Sequence, residues 1–255
     1  MTAPEITHLD EATVQIRQPK ASHWEAPFIF LLFGRDRALL LDSGATNDEA
    51  VFPLRGTVDG LVAKWLKNHP NPGFELVVAH THTHGDHIAG DPLFTDRPHT
   101  RVVGTTLDEV RTNFGFVNWP DFVVPFDLGD RVVDVIGGPG HQESAVVFFD
   151  RTSGILFTGD TVCPGHLYVR DTAAFVATIE RLISFRDAQR GAVRTLLGAH
   201  IEMSTTPGVP YPPGTVEQPD ETPLAMPPRI LDDVREALDL PGVRAVRDRY
   251  IIVRQ

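Results

Sequence analysis

His80–Gly90 reads HTHTHGDHIAG, with four histidines and an aspartate between His80 and His87. The register that carries chemistry is His82-x-His84-x-Asp86-His87. Residues two apart in an extended chain project to the same side, so His82 and His84 can close on one metal ion. Asp86 and His87 follow on the next bend and can reach a second ion nearby. With eleven histidines in 255 residues, such a pattern arises by chance on the order of once in a thousand, which makes a chance surface cluster a poor explanation. His80 falls outside the register and reads as a strand-end residue that binds no metal.

Outward from this motif, short apolar stretches end in residues that bind metals. They are FELVVAH (74–80), VVDVIGGPGH (132–141), GILFTGD (154–160) and RTLLGAH (194–200), and ALLLD (38–42) is an N-terminal parallel ending at Asp42. Strand ends at one rim of a sheet are where layered α/β folds place their sites, because the sheet is rigid and the loops beyond it are open. The first forty residues read as a β-meander. Ala12–Arg17 alternates, and two apolar runs (26–33 and 37–42) are joined by the turn Gly34-Arg35-Asp36. Helical periodicity spans Asp59–Lys67, Thr172–Phe185 and Arg229–Leu238, the second capped by Asp171 or Thr172.

Composition narrows the function classes. Lys plus Arg number 23 against 34 Asp plus Glu, a net charge of −11, and no basic stripe interrupts the acidic balance, so no nucleic-acid partner is expected. The longest apolar run, Phe28–Phe33, is strand-sized, so no membrane span is expected. The N-terminus lacks a basic segment followed by an apolar one, and Cys163 is the sole cysteine; a cytoplasmic location is the expectation. The chain is read as one domain, 1–255. Within it, residues 204–228 hold eight prolines and read as a flap over the site, neither helix nor central strand. Nothing in the sequence sets the oligomeric state.

THTHGDH resembles the signature of the metallo-β-lactamase superfamily, and the resemblance runs in order from Phe28 to Glu202. Asp42 in LLLDSG matches the first motif, and His82, His84, Asp86 and His87 the second. His141 in GGPGHQESA matches the third, Asp160 in FTGDT the fourth and His200 in LLGAH the fifth. It implies an α/β fold of αββα type: two mixed β-sheets face to face with helices on both outer faces. It also implies two divalent ions, zinc first, with iron or manganese open. His82, His84 and His141 then serve one ion, Asp86, His87 and His200 the other, and Asp160 both. A hydroxide shared by the ions would attack a small carbonyl ester, thioester or lactone, Asp86 being essential to turnover. Asp42 is expected to accept hydrogen bonds that fix a ligand histidine or the metal loop.

Departures from the family pattern sort its branches. Asp160 stands where the main β-lactamases place a cysteine, and Cys163 is out of register, so antibiotic hydrolysis is not expected. His84 stands where di-iron flavoprotein relatives have glutamate. Glyoxalase II enzymes and lactonases are the nearer comparison, although Arg229 and Arg235 lie among acids, which argues against glutathione thioesters. Tyr168 is a candidate to bind substrate and to hydrogen-bond a developing oxyanion. Phe114, Phe116, Trp119 and Tyr211 are candidate substrate contacts, and His166 reads as a surface loop residue. Two other readings stay open: a mononuclear-iron enzyme resembling persulfide dioxygenases, and a non-catalytic metal-binding scaffold.

Overall fold

A computed structural model describes residues 3–255. The first sheet runs in chain order: β1 (Glu5–Asp10), β2 (Thr13–Arg17), β3 (Phe28–Phe33), β4 (Arg37–Leu41), β5 (Glu75–Ala79) and β6 (Thr100–Val102). Its first four strands are antiparallel and its last three parallel. The second sheet is built from β7 (Val123–Asp127), β8 (Val132–Gly137), β9 (Val146–Asp150), β10 (Ile155–Gly159), β12 (Thr195–Gly198) and β13 (Ala225–Met226), in the order β13-β12-β10-β9-β8-β7. A third, small sheet joins β11 (His166–Val169) to β15 (Ile251–Arg254) and β14 (Arg244–Val246).

Side-chain alternation assembles the layers. In β3, Phe28, Phe30 and Leu32 face the second sheet, while Ile29, Leu31 and Phe33 face the outer helix α1 (Leu54–Asn68). Both faces are buried, which is why this strand reads as an unbroken apolar run. The inter-sheet core joins these residues to Val133, Val135, Phe148 and Phe157. On the far side, Ile136, Val147, Phe149 and Leu156 pack against α4 (Thr172–Ala188) and α5 (Ile230–Leu238). The result is the αββα sandwich that the resemblance implied.

One directional fact decides where the chemistry lies. β4 and β5 are parallel, as are β10 and β12, and β8 runs with β10 because both are antiparallel to β9. Within each sheet, the strands that precede a candidate ligand or Asp42 therefore release the chain at one rim, and the ligand residues of the two rims meet.

Several boundaries differ from the periodic reading. Helix α1 starts at Leu54, five positions before Asp59, because Leu54 and Val58 extend the buried stripe of Val62. An eight-residue helix, α3 (Leu107–Phe114), is too short to stand out by periodicity and buries only Val110 and Phe114; it starts with a capping box in which Thr106 and Glu109 satisfy each other's backbone N–H. The Pro-rich segment is tied to the body. Glu221 pairs with Arg17 and Lys20, Thr222 and Leu224 are buried, and β13 adds a two-residue edge to β12.

Candidate metal centre

Each strand end delivers its residue through a loop with little freedom. After β5, the chain runs extended to His84 (φ −70°, ψ 151°) and then turns into α2 (Gly85–Ile88), a single helical turn. That break sends His82 and His84 one way and Asp86 and His87 another. After β8, Gly140 takes φ +132°, and a Cβ there would lie 2.4 Å from Phe175 Cα. Only glycine lets this loop press on α4 while presenting His141. After β10, Gly159 (φ +51°) lies against Thr81 and hands over to Asp160.

The seven residues meet as two sets. His82 Nε2 and His141 Nε2 each lie 3.0 Å from His84 Nδ1, and each lies 3.8 Å from Asp160 Oδ2. On the other side, Asp86 Oδ2 lies 3.2 Å from His87 Nε2 and 3.1 Å from His200 Nε2. Asp160 Oδ1 lies 3.5 Å and 3.3 Å from the same two nitrogens. One carboxylate thus turns one oxygen to each set. Within each set the donor atoms lie within 4.8 Å of one another.

The outward ring nitrogens are held in turn. His87 Nδ1 meets Asp42 Oδ2 at 2.8 Å, His141 Nδ1 donates to the Tyr168 carbonyl at 2.9 Å, and His200 Nδ1 donates to the Glu25 carbonyl at 3.1 Å. Fixing one nitrogen orients the ring and leaves the other to coordinate. Asp42, 1% exposed and at φ +69°, also accepts from Thr81 N and Thr81 Oγ1, so it binds the motif loop to His87. His80 is buried and meets Asp91 Oδ1 at 2.7 Å, outside both sets.

Charge divides the sets. Burial, reinforced by neighbouring histidines, holds His82 well below the usual imidazole range and His84 down to about 4; burial lowers His141 as well. All three present lone pairs at neutral pH. His87 moves the opposite way: burial would lower it, but Asp42, Asp160 and Asp86 outweigh burial and raise it. His200 rises to about 9 because Asp160 and Asp86 likewise overcome burial. The same histidines hold Asp86 and Asp160 below the carboxylate range against their own desolvation.

His84 Nδ1 faces the Nε2 atoms of both His82 and His141 at 3.0 Å, and a single N–H there can serve only one of them, whereas a cation would accept all three lone pairs. His84 Nε2 and Asp160 Oδ1 are buried with no hydrogen-bond partner. Three nitrogens on one side, two nitrogens and a carboxylate on the other, and a carboxylate common to both fit a pair of divalent ions.

The remaining candidates sort by distance from this centre. Tyr168 stands beside it: its carbonyl holds His141, and its half-buried phenol stacks on His166 at 5.8 Å between ring centroids. Burial, then Glu202 and Glu25, raises the phenol above its usual value. Phe114 and Phe116 go to the inter-sheet core, where α3 and the turn after it aim them, and Trp119 stacks edge-on upon Phe116 at 5.0 Å. Tyr211 stays within the Pro-rich segment, its hydroxyl accepting from Asp220 N. His166 is held by Glu202 at 3.0 Å rather than standing free. Cys163 is buried, and Cβ of Gly198 could not be added without striking it, so it packs as a small apolar residue.

The sequence reading overlooked the loop 18–27. It carries Glu25, whose carboxyl is raised to about 7 by burial and by Asp86, and His23, whose Nδ1 lies 3.6 Å from Glu25. No periodicity or spacing marks these residues; only the fold of β2–β3 brings them to the rim. Glu202 was overlooked in the same way.

The fold and this site define a class. The model of the Metallo-beta-lactamase superfamily matches residues 24–205, and the chain belongs to that superfamily. Over 209 residues it is 27% identical to an acyl-coenzyme A thioesterase MBLAC2 of Gallus gallus, covering 69% of this chain and 72% of that one. Over 129 residues it is 30% identical to a hydroxyacylglutathione hydrolase of Synechococcus sp. (strain JA-2-3B'a(2-13)), spanning 48% of that relative's length. A metallo-beta-lactamase from Pontibacter korlensis shares the fold at a TM-score of 0.59 and 17% identity, over 93% of this chain and 100% of that one. No helix among the described residues is long and apolar enough to cross a membrane.

Proposed function

We propose that the protein is a hydrolase of small carbonyl esters, thioesters or lactones, working at a centre of two divalent ions, with zinc the first choice. One observation carries this reading: Asp160 turns Oδ2 to the nitrogens of His82 and His141 and Oδ1 to those of His87 and His200. His82, His84 and His141 would hold one ion, Asp86, His87 and His200 the other, and Asp160 both. When bound, such ions lower the pKa of a shared water to near neutrality and polarise a carbonyl oxygen.

The chain's own groups do the rest. Asp42, the Tyr168 carbonyl and the Glu25 carbonyl hold three imidazoles in orientation, so little reorganisation accompanies the reaction. The raised pKa of the Tyr168 phenol keeps its proton in place, as a donor to a developing oxyanion requires. The names of two relatives, a thioesterase and a hydroxyacylglutathione hydrolase, favour a thioester among the three substrate classes. Glutathione itself is disfavoured, since Arg235 is engaged by Glu180 and Asp239 on an outer helix.

The test is turnover of a panel of acyl thioesters, esters and lactones by zinc-loaded protein and by Asp86→Ala. A loss of at least about a hundredfold in the variant, with circular dichroism unchanged, is expected. Equal turnover by the variant, or none by wild type carrying two ions, would overturn the reading.

A further inference from the structure

A groove of about 340 Å³ leads away from His141, and Arg170 stands in its wall with Gln142, Glu143, Asp171 and Ala174. Backbone geometry fixes Arg170 there. The amides of Arg170 and Asp171 both donate to the Gly140 carbonyl at 3.0 Å, so the corner before α4 is clamped to the loop that presents His141.

The guanidinium itself is exposed, and among the described residues it meets no carboxylate or carbonyl. Of the two acids in the wall, Asp171 caps α4 by accepting from Ala174 N at 2.9 Å, and Glu143 forms no ion pair with the guanidinium. Arg35 on the surface and the partly buried Arg55, Arg97 and Arg186 are, by contrast, paired with aspartates. The groove offers a second donor. Gln142 Oε1 accepts from Ser144 N and Oγ, which leaves the amide NH₂ of Gln142 to face solvent.

We propose that Arg170 is a specificity-determining residue that receives an anionic group, a carboxylate or a phosphate, of the substrate bound at the adjacent centre. A planar guanidinium with its N–H groups uncommitted is suited to two parallel hydrogen bonds to such an oxyanion. The inference rests on the hydrolase reading for its substrate, but not for the binding of the anion.

The experiment compares three thioesters: pentanoyl-N-acetylcysteamine, which is neutral; glutaryl-N-acetylcysteamine, with a carboxylate on the acyl side; and pentanoyl-coenzyme A, with phosphates on the leaving group. Arg170→Gln should lower kcat/KM at least about tenfold for one of the charged pair and leave the neutral substrate within about twofold. Arg170→Lys should restore part of the loss. Which charged substrate suffers tells on which side the anion sits. A uniform effect across all three, or none, overturns the proposal.

Binding of glutarate and of inorganic phosphate to the metal-loaded protein, followed by calorimetry, gives an answer independent of turnover. Weaker binding of either anion by Arg170→Gln is expected, and equal binding by both proteins overturns the assignment. If no thioester is turned over while this difference persists, the hydrolase reading fails and the anion site stands.

Discussion

The two ends of β8 carry two buried polar knots of opposite character. Before the strand, Arg131 donates to both oxygens of Asp150 at 3.0 and 2.7 Å, to the carbonyls of Ala12 and Phe33, and to Thr13 Oγ1. Asp150 is fully buried, and its charge is matched within the chain. After the strand comes His141, in a cluster where nitrogens face nitrogens and Asp160 Oδ1 has no hydrogen-bond partner. The first knot is complete in itself and joins strands of both sheets. The second leaves buried acceptors over and fits cations. Burial of charge alone therefore does not mark a functional site; a donor set that cannot satisfy itself does.

Substitutions can break this contrast. The largest effect is expected from Asp160→Ala, which removes the only carboxylate common to both sets. Turnover should fall by at least about a thousandfold, and bound metal should drop below two per chain, with a native circular dichroism spectrum. Retained activity with full metal would erase the distinction between the knots. Arg131→Met should do the reverse. Stranding Asp150 is expected to cost about 3–5 kcal/mol in denaturant unfolding, with turnover per folded molecule unchanged.

Asp42→Asn probes the link between an inner brace and the cluster. The weakened hold on His87 Nδ1 should lower metal affinity or activity by about 10–100-fold. The smallest expected effect is one of pH after chelation of the metal. His200, raised from 6.5 to about 9, is then held protonated by Asp160 and Asp86, overcoming its burial. That contribution is fully present below pH 6.5 and is lost as pH rises through about 9, so Tm of the chelated protein should fall across this interval. With metal restored, Tm should stay flat there; a flat profile in both forms would contradict the assigned charge.

Much of this contrast was legible in the chain. His82-x-His84-x-Asp86-His87 and the strand-end residues His141, Asp160 and His200 are local signals, because each sits at a fixed offset from a short apolar strand. The αββα layering followed from the resemblance that those motifs carry. Helix α3 escaped notice because its eight residues bury only Val110 and Phe114, too few for a periodic stripe, although the Thr106–Glu109 cap was there to read. Glu25 and Glu202 were not legible, since their roles depend on which residues the folded rim sets beside them. Phe114 and Phe116 look alike in sequence whether they line a pocket or fill a core, and their burial in the inter-sheet cluster comes only from where α3 and the turn after it lie in the fold. The third sheet, which backs Tyr168 by pairing β15 with β11, joins residues far apart in the chain, and no local pattern announces it.

The most direct measurement is the metal content per chain of protein purified without chelator or affinity metal, by elemental analysis. The account predicts two divalent ions per chain, zinc foremost, falling below two in Asp160→Ala. One ion per chain in both proteins, or a single iron with little zinc, would contradict the two-ion centre and turn attention to oxygen chemistry at a single metal.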